Sequence, residues 1–392
     1  MKMKKKFKII FSIIISVCAI VISSVTIFSV RKKIKDKTVK IAFYGLPQDL
    51  CQAIQQEFVD DEKIIAQYGI LAAGNVDLGT ITNKYDMIFA WNGEVTQTLA
   101  KSAEKIPAKV LEGIPISLRN EYCVPILLDH FELAFRTDLV ERTQVNPLES
   151  FQSFTDFLQE SKKYVFSPFF TYGSDDRMLL ALTGSFVEAL GGFESYKNLI
   201  ELMKTYENLD DFCDIGLNED GLCFADILNM LKIWPKEEII HPQWTAANKI
   251  DLEVFTSDNQ VACFYTNLLE HRKMKYETVS KFSATKMPVV NEDASHCLIA
   301  PSVNCVLISN NSNAKIFLKK LLTVEVQTRL SDKSMLAPVS YRAEAYDSLA
   351  DDIRFWAASC EGGVEPDLFY AVFQRDNEKM VSIAKQIREY LR

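Results

Sequence analysis

Apolar and polar positions alternate along this chain in blocks of two kinds. Residues 39–45, VKIAFYG, form a β-branched and aromatic run that ends in glycine, which predicts a strand and a turn. Pro47 opens a segment, 47–59, whose Leu50, Ile54 and Phe58 share one face of an amphipathic helix. Residues 85–91 predict a second strand and 94–103 a helix. The stretch VPILLDHFELAFRTDLV then reads as one strand-like run leading to a Thr-Asp-Leu helix start, with Asp129 and His130 in its middle. Residues 148–161 predict a helix with Phe151, Phe154 and Leu158 buried. The run KYVFSPFF predicts a short strand, and 176–190 a helix stopped by Gly191-Gly192. Helices follow at about 195–205 and 222–234, strands at 261–267 and 304–310, an amphipathic helix at 314–330 and helix over roughly the last 25 residues. Strands alternating with helices argue an α/β fold with mixed, largely parallel sheets.

The opening residues break this rhythm. Five lysines fall within the first eight residues, an uncharged run covers 9–30, and RKKIKDK follows. Twenty-two uncharged residues are long enough to span a bilayer, and no Ala-x-Ala cleavage site precedes the second basic cluster. The expectation is a membrane anchor or signal segment over 1–37, crossing the membrane at 7–30, with the bulk of the chain extracytoplasmic. Lipidation at Cys18, in Ile15-Ser16-Val17-Cys18, is the alternative. Residues 1–37 carry ten Lys/Arg against one acid, a charge of +9. The whole chain carries −8, which leaves −17 for the remainder. A body so acidic repels phosphate backbones and argues against nucleic acid. At 392 residues, 48% hydrophobic and 24% charged, the chain is globular and large enough for two lobes. No composition break marks a linker. Eight of the nine cysteines lie in the body, without a C-x-x-C or a zinc spacing.

Neither phosphate-binding loops nor the G-x-S-x-G and H-E-x-x-H motifs occur, and adjacent acids such as Asp175-Asp176 suit helix caps better than acid–base work. No nucleophile, base and orienting group come together in the sequence, so the chain reads as a binder without cofactor or metal rather than an enzyme. What recurs is an aromatic or polar residue where a strand gives way to a loop: Tyr44; Trp91, Asn92 and Glu94; Asp129 with His130 and Phe131; then Phe169, Phe170 and Tyr172. Ligands of open α/β sheets bind beyond the carboxyl ends of strands. Aromatic faces beside amides and acids suit a sugar, whose C–H faces stack and whose hydroxyls need fixed partners. Each of these aromatics taken singly also suits a core, except Trp91, whose neighbours Asn92, Gly93 and Glu94 make its surroundings polar.

Taken in order, these segments resemble the extracellular solute-binding proteins of ABC importers, in the sugar-binding family that includes maltose-binding protein. YDMIFAWNGEVTQTLAKS is similar to the family's D-[IV]-[IVF]-x-x-W segment, VPILLDHFELAFRTDLV to its P-x-x-x-[DE] crossing segment, SFQSFTDFLQ to its P-x-T-[WF] helix and SDNQVACFYTN to its G-x-[AT]-A-M strand. The resemblance extends over 38–392. It implies a two-lobed periplasmic-binding-protein-like (type II) fold with a ligand cleft between the lobes. The first lobe would hold about 38–125 and 303–337, and the second about 130–300 and 340–392. It implies that Trp91 stacks on ligand, that Asp129 lines the cleft as a hydrogen-bond acceptor, and that Tyr265 and Phe369 join the site. It also implies ABC permease subunits as partners and a carbohydrate as ligand. Arg136-Thr137 in place of Asn-Lys, and the missing tryptophan after Phe264, depart from the pattern and bear on the ligand. A sensor or scaffold without transport, and a non-sugar ligand such as a polyamine, are the competing expectations.

Overall fold

The structure is a computed structural model that describes residues 37–59, 65–74, 77–290 and 295–392. The predicted anchor at 7–30 lies outside these residues. Among the described residues, no helix is long and apolar enough to cross a membrane.

In chain order the elements are β1 (Thr38–Tyr44), α1 (Gln48–Val59), β2 (Ile65–Leu71), α2 (Leu78–Lys84), β3 (Met87–Trp91), α3 (Glu94–Ala100), β4 (Val124–Leu128) and β5 (Phe131–Arg136). There follow α4 (Thr137–Thr143), α5 (Phe151–Ser161), β6 (Ser167–Phe170), α6 (Asp176–Thr205), α7 (Phe224–Ile233), α8 (Lys249–Ser257), β7 (Val261–Asn267), α9 (Leu268–Lys273), α10 (Tyr276–Val279) and β8 (Phe282–Thr285). The chain ends with β9 (Leu298–Ile299), β10 (Ser302–Leu307), α11 (Ser312–Leu321), α12 (Val324–Ser334), β11 (Ala337–Pro338), α13 (Ser348–Ser359), β12 (Val364–Glu365), a π-helical turn (Phe369–Phe373) and α14 (Asn377–Leu391).

Two sheets build two lobes. The first has strand order β11-β4-β10-β3-β1-β2 and the second β6-β7-β5-β8. β1 runs parallel to β2 and β3, and β6 parallel to β7. β10 is antiparallel to both β3 and β4, and β5 to both β7 and β8. The sheets are therefore mixed, but not largely parallel. The chain re-enters the first lobe from the second and so runs back between β3 and β4. The expected single run through Asp129 is in fact two strands, because the backbone leaves the first sheet at Leu128 and joins the second at Phe131.

The chain passes between the lobes three times, at Asp129-His130, at Ala300-Pro301, and along 361–368. β9 and β12, from the last two passages, pair in parallel. The first lobe resumes at Ser302 and extends beyond the expected limit near 337. Ala350, Ile353 and Ala357, one stripe of α13, pack into the same core as β4 and β10. The second lobe regains the chain only at the π-helical turn and α14, whose Phe373, Ile383 and Ile387 enter its core.

Caps placed by local sequence start the helices that matter here. Asp175 accepts from Met178 N (2.8 Å) at α6, Asn248 from Ile250 N (2.8 Å) at α8, and Asn267 from Glu270 N (3.2 Å) at α9. The glycine pair does not end α6. The chain kinks at Gly192 (φ 75°) and helix continues to Thr205. The eight body cysteines are all free thiols, and all but Cys223 are buried.

Candidate functional site

A cavity of about 530 Å³ opens on the second lobe beside the crossings, where α6, α8 and α9 begin. Its walls include Phe131, Tyr172, Ser174, Arg177, Lys249 and Glu270, with the three capping residues at the helix starts. Its size and mixture of ring edges with a few fixed polar groups are those of a small-molecule site.

Arg177 forms its inner wall. The first turn of α6 carries this guanidinium to the buried carboxylate of Asp367, and both Nε (3.2 Å) and Nη2 (2.9 Å) donate to the same oxygen, Oδ2. The other oxygen accepts from Phe369 N (2.9 Å) and Tyr370 N (3.3 Å), so Asp367 ties α6 to the π-helical turn. Aromatic rings enclose the cation. Its centre lies 4.4 Å from the Tyr370 ring, 5.2 Å from Phe131 and 6.0 Å from Trp91, distances at which ring quadrupoles attract it. Arg177 remains 26% exposed. Across the cavity Lys249 pairs with Glu270, which Lys273 also reaches at 3.1 Å.

Trp91 is 3% exposed, stacked on Tyr370 at 5.5 Å and 18°. Gln374 fixes the same corner, with Oε1 accepting from Val95 N (3.1 Å) and Nε2 donating to Trp91 O (3.4 Å). Phe369 packs against the cores of both lobes. Asp129 is buried at the first crossing and accepts from Asn267 Nδ2 (2.7 Å), His130 N (3.0 Å) and Leu269 N (3.3 Å). Burial raises its pKa, against the opposing pull of Arg177 and of these donors. In this conformation it clamps the start of α9. His130 beside it is buried with Nδ1 unpartnered, and burial, helped by Lys286, lowers its pKa to about 3.

Of the residues singled out in the sequence, Tyr172 lines the cavity, and burial pushes its phenol up to about 12. Trp91 and Asp129 stand near Arg177, and Phe369 lies beside Tyr370 at 5.0 Å. The others lie elsewhere. Tyr44 is enclosed in the first lobe and donates to Gly74 O (2.7 Å). Glu94 pairs with Arg375 (Nε to Oε1, 2.6 Å). Phe170 stacks on Phe255 at 4.7 Å in the second-lobe core. Tyr265 bonds Ser185 Oγ (2.7 Å) and stacks on Phe131 at 5.8 Å. Asn92 borders a different cavity. Arg177, Lys249, Asn248, Asn267 and Glu270 escaped the sequence reading. Their signal was the helix-start pattern in Ser174-Asp175-Asp176-Arg177, Asn248-Lys249 and Asn267-Leu268, three N-caps that follow strand or loop ends.

No family model and no curated protein matches the sequence. Solved structures do match the fold. The bacterial solute receptor AcbH, described as having an exclusive substrate preference for β-D-galactopyranose, superposes with a TM-score of 0.67 at 11% identity, over 90% of this chain and 96% of its own. MsmE from Bacillus subtilis, in an open conformation, gives 0.68 at 15% identity, over 91% and 92%. RafE from Streptococcus pneumoniae, in its apo form, gives 0.65 at 12%, over 91% and 96%. The chain thus has the two-lobed α/β fold of solute-binding proteins, with the mixed sheets that fold carries.

Proposed function

We propose that this protein is the extracytoplasmic solute-binding component of an ABC importer. It would hold a small carbohydrate in the cavity before Arg177, be tethered through residues 7–30, and deliver its ligand to permease subunits in the membrane. The cavity carries the reading. It lies beside the crossings, so a ligand there can touch both lobes as they close. Phe131 and Tyr172 offer ring surface, while Ser174, Asn248 and the uncommitted Nη1 of Arg177 offer hydrogen bonds to hydroxyls. Its cations are each matched by an acid, Arg177 by Asp367 and Lys249 by Glu270, which suits a neutral ligand. The galactose preference described for AcbH points the same way. Within this reading Trp91 and Asp129 shape the site from behind, and Tyr172 touches the ligand.

A thermal-shift screen of mono- and oligosaccharides, with polyamines beside them, tests it, since a bound ligand raises apparent stability. A sugar should raise the melting temperature, and Tyr172→Ala should weaken its binding by about 1–3 kcal/mol in calorimetry. A screen in which only polyamines bind would replace the carbohydrate with a cation.

A further inference from the structure

A second cavity, of about 410 Å³, lies on the first lobe. Asn92 follows the end of β3, Asn304 lies within β10, Gln97 comes from α3, and Arg119 and Asn120 from the loop before β4. Glu365 of β12 reaches it from the third crossing. Among the described residues that line it, none is aromatic.

Its polar groups are only partly used by the described residues. Asn92 is 9% exposed; its Oδ1 accepts from Ser302 N (2.8 Å), and its amide NH₂ has no protein partner. Asn304 Nδ2 finds only the Cys123 sulfur (3.0 Å), a weak acceptor. Asn120 accepts from Tyr122 N and Cys123 N through Oδ1 and keeps Nδ2 spare.

Neither charged group has an ion-pair partner among the described residues. Arg119 donates from Nε to Ile114 O (2.8 Å) and from Nη2 to Glu112 O (3.1 Å), so its charge meets carbonyls and no carboxylate. The half-buried Glu365 carboxylate accepts no hydrogen bond and forms no ion pair among the described residues. Burial pushes its pKa up to about 7, against the pull of Lys197 and Lys204 on α6. Tyr196 on α6 and Cys297 before β9 also sense its charge. No ion pair joins Arg119 to Glu365.

We infer that this cavity is a second binding site, for a small zwitterion of the amino-acid class, with its ammonium at Glu365 and its carboxylate at Arg119 and the spare amides. A neutral sugar would leave both charges unmatched and find no ring to stack on. A simple anion would face Glu365, and a simple cation would face Arg119. The site joins the first lobe to the third crossing, so its occupant would restrain that crossing. It shares no lining residue with the cavity before Arg177.

Calorimetric titration of the full chain with glycine, alanine, serine and glutamine, with glucose and putrescine as controls, tests the inference. At least one amino acid should bind at pH 8. Its affinity should fall at pH 6, where Glu365 takes up a proton. Glu365→Gln and Arg119→Gln, each shown to fold by circular dichroism, should weaken it about tenfold or more, as expected for lost hydrogen bonds to a charged group. Tyr172→Ala should leave it unchanged. The inference fails if none of the four amino acids binds, if both Gln variants bind as the parent does, or if Tyr172→Ala abolishes binding, which would move the ligand to the other cavity. A sugar that binds independently of Glu365 and Arg119 bears on the first cavity alone, so the two readings stand or fall separately.

Discussion

Arg177 shows how one side chain sets the character of a site. Asp367 holds it, Tyr370, Phe131 and Trp91 surround it, and what remains exposed faces the cavity. Trp91 is therefore already covered by protein. Trp91→Ala should cost about 3–5 kcal/mol of folding stability, read by chemical denaturation, as for other large-to-small changes in packed surroundings. In sequence, the Asn-Gly-Glu that follows Trp91 correctly marked a strand end. What covers the ring could not be read, because Arg177 and Tyr370 arrive from distant parts of the chain. Asp129 was legible as the crossing acid, but not its donors Asn267 and Leu269, which a different strand and helix bring to it. His130 gives a pH test. Its folded pKa of about 3 lies below the unfolded value near 6.5, so only the unfolded chain takes the proton between them. Stability is full above pH 6.5 and falls as pH drops toward 3. Between pH 7 and 5 the parent should lose about 2 kcal/mol more than His130→Gln.

At the scale of elements, local signals served well where an element is made by its own residues. The strand 261–267 appears as expected, and the helix expected over 148–161 forms at Phe151–Ser161, started by the Ser150 cap. The same signals failed where a neighbour decides. Gly191-Gly192 reads as a stop, yet the backbone kinks and the next turns pack on as helix. α13 went unread, and its stripe gives no sign of which lobe it will join. Gly93 is the sharpest junction between elements. Its φ of 140° disfavours any side chain, and a Cβ there would come within 2.2 Å of Tyr370 O. The π-helical turn can sit against α3 only because this position is glycine. Gly93→Ala should therefore destabilise the protein by about 2 kcal/mol or more, seen as a lower denaturation midpoint, while Gly221→Ala, with open space around it, should cost less.

Across the whole molecule, α9 is one of the ties that join the two cores, beside the packing of the π-helical turn on Trp91 and α3. Leu268 packs in the first-lobe core, while His271 meets Glu132 (2.5 Å) in the second lobe. Arg272, almost fully buried, donates from Nε to Asp347 Oδ2 (2.9 Å) at the cap of α13. Asp347→Asn would leave that cation without its counter-charge. It should cost about 2 kcal/mol or more, and calorimetry should show the two lobes melting at more widely separated temperatures. The path of the chain has a consequence for how the protein comes into being. β10 is the middle strand between β3 and β4, and it is made only after the whole second sheet. A chain emerging from the ribosome thus holds β1 to β4 with a gap at their centre until residue 307 is out. During that interval β3 and β4 each present an unpaired edge, the kind of surface on which other chains aggregate. The nascent protein exposes both edges until more than three quarters of its 392 residues have emerged.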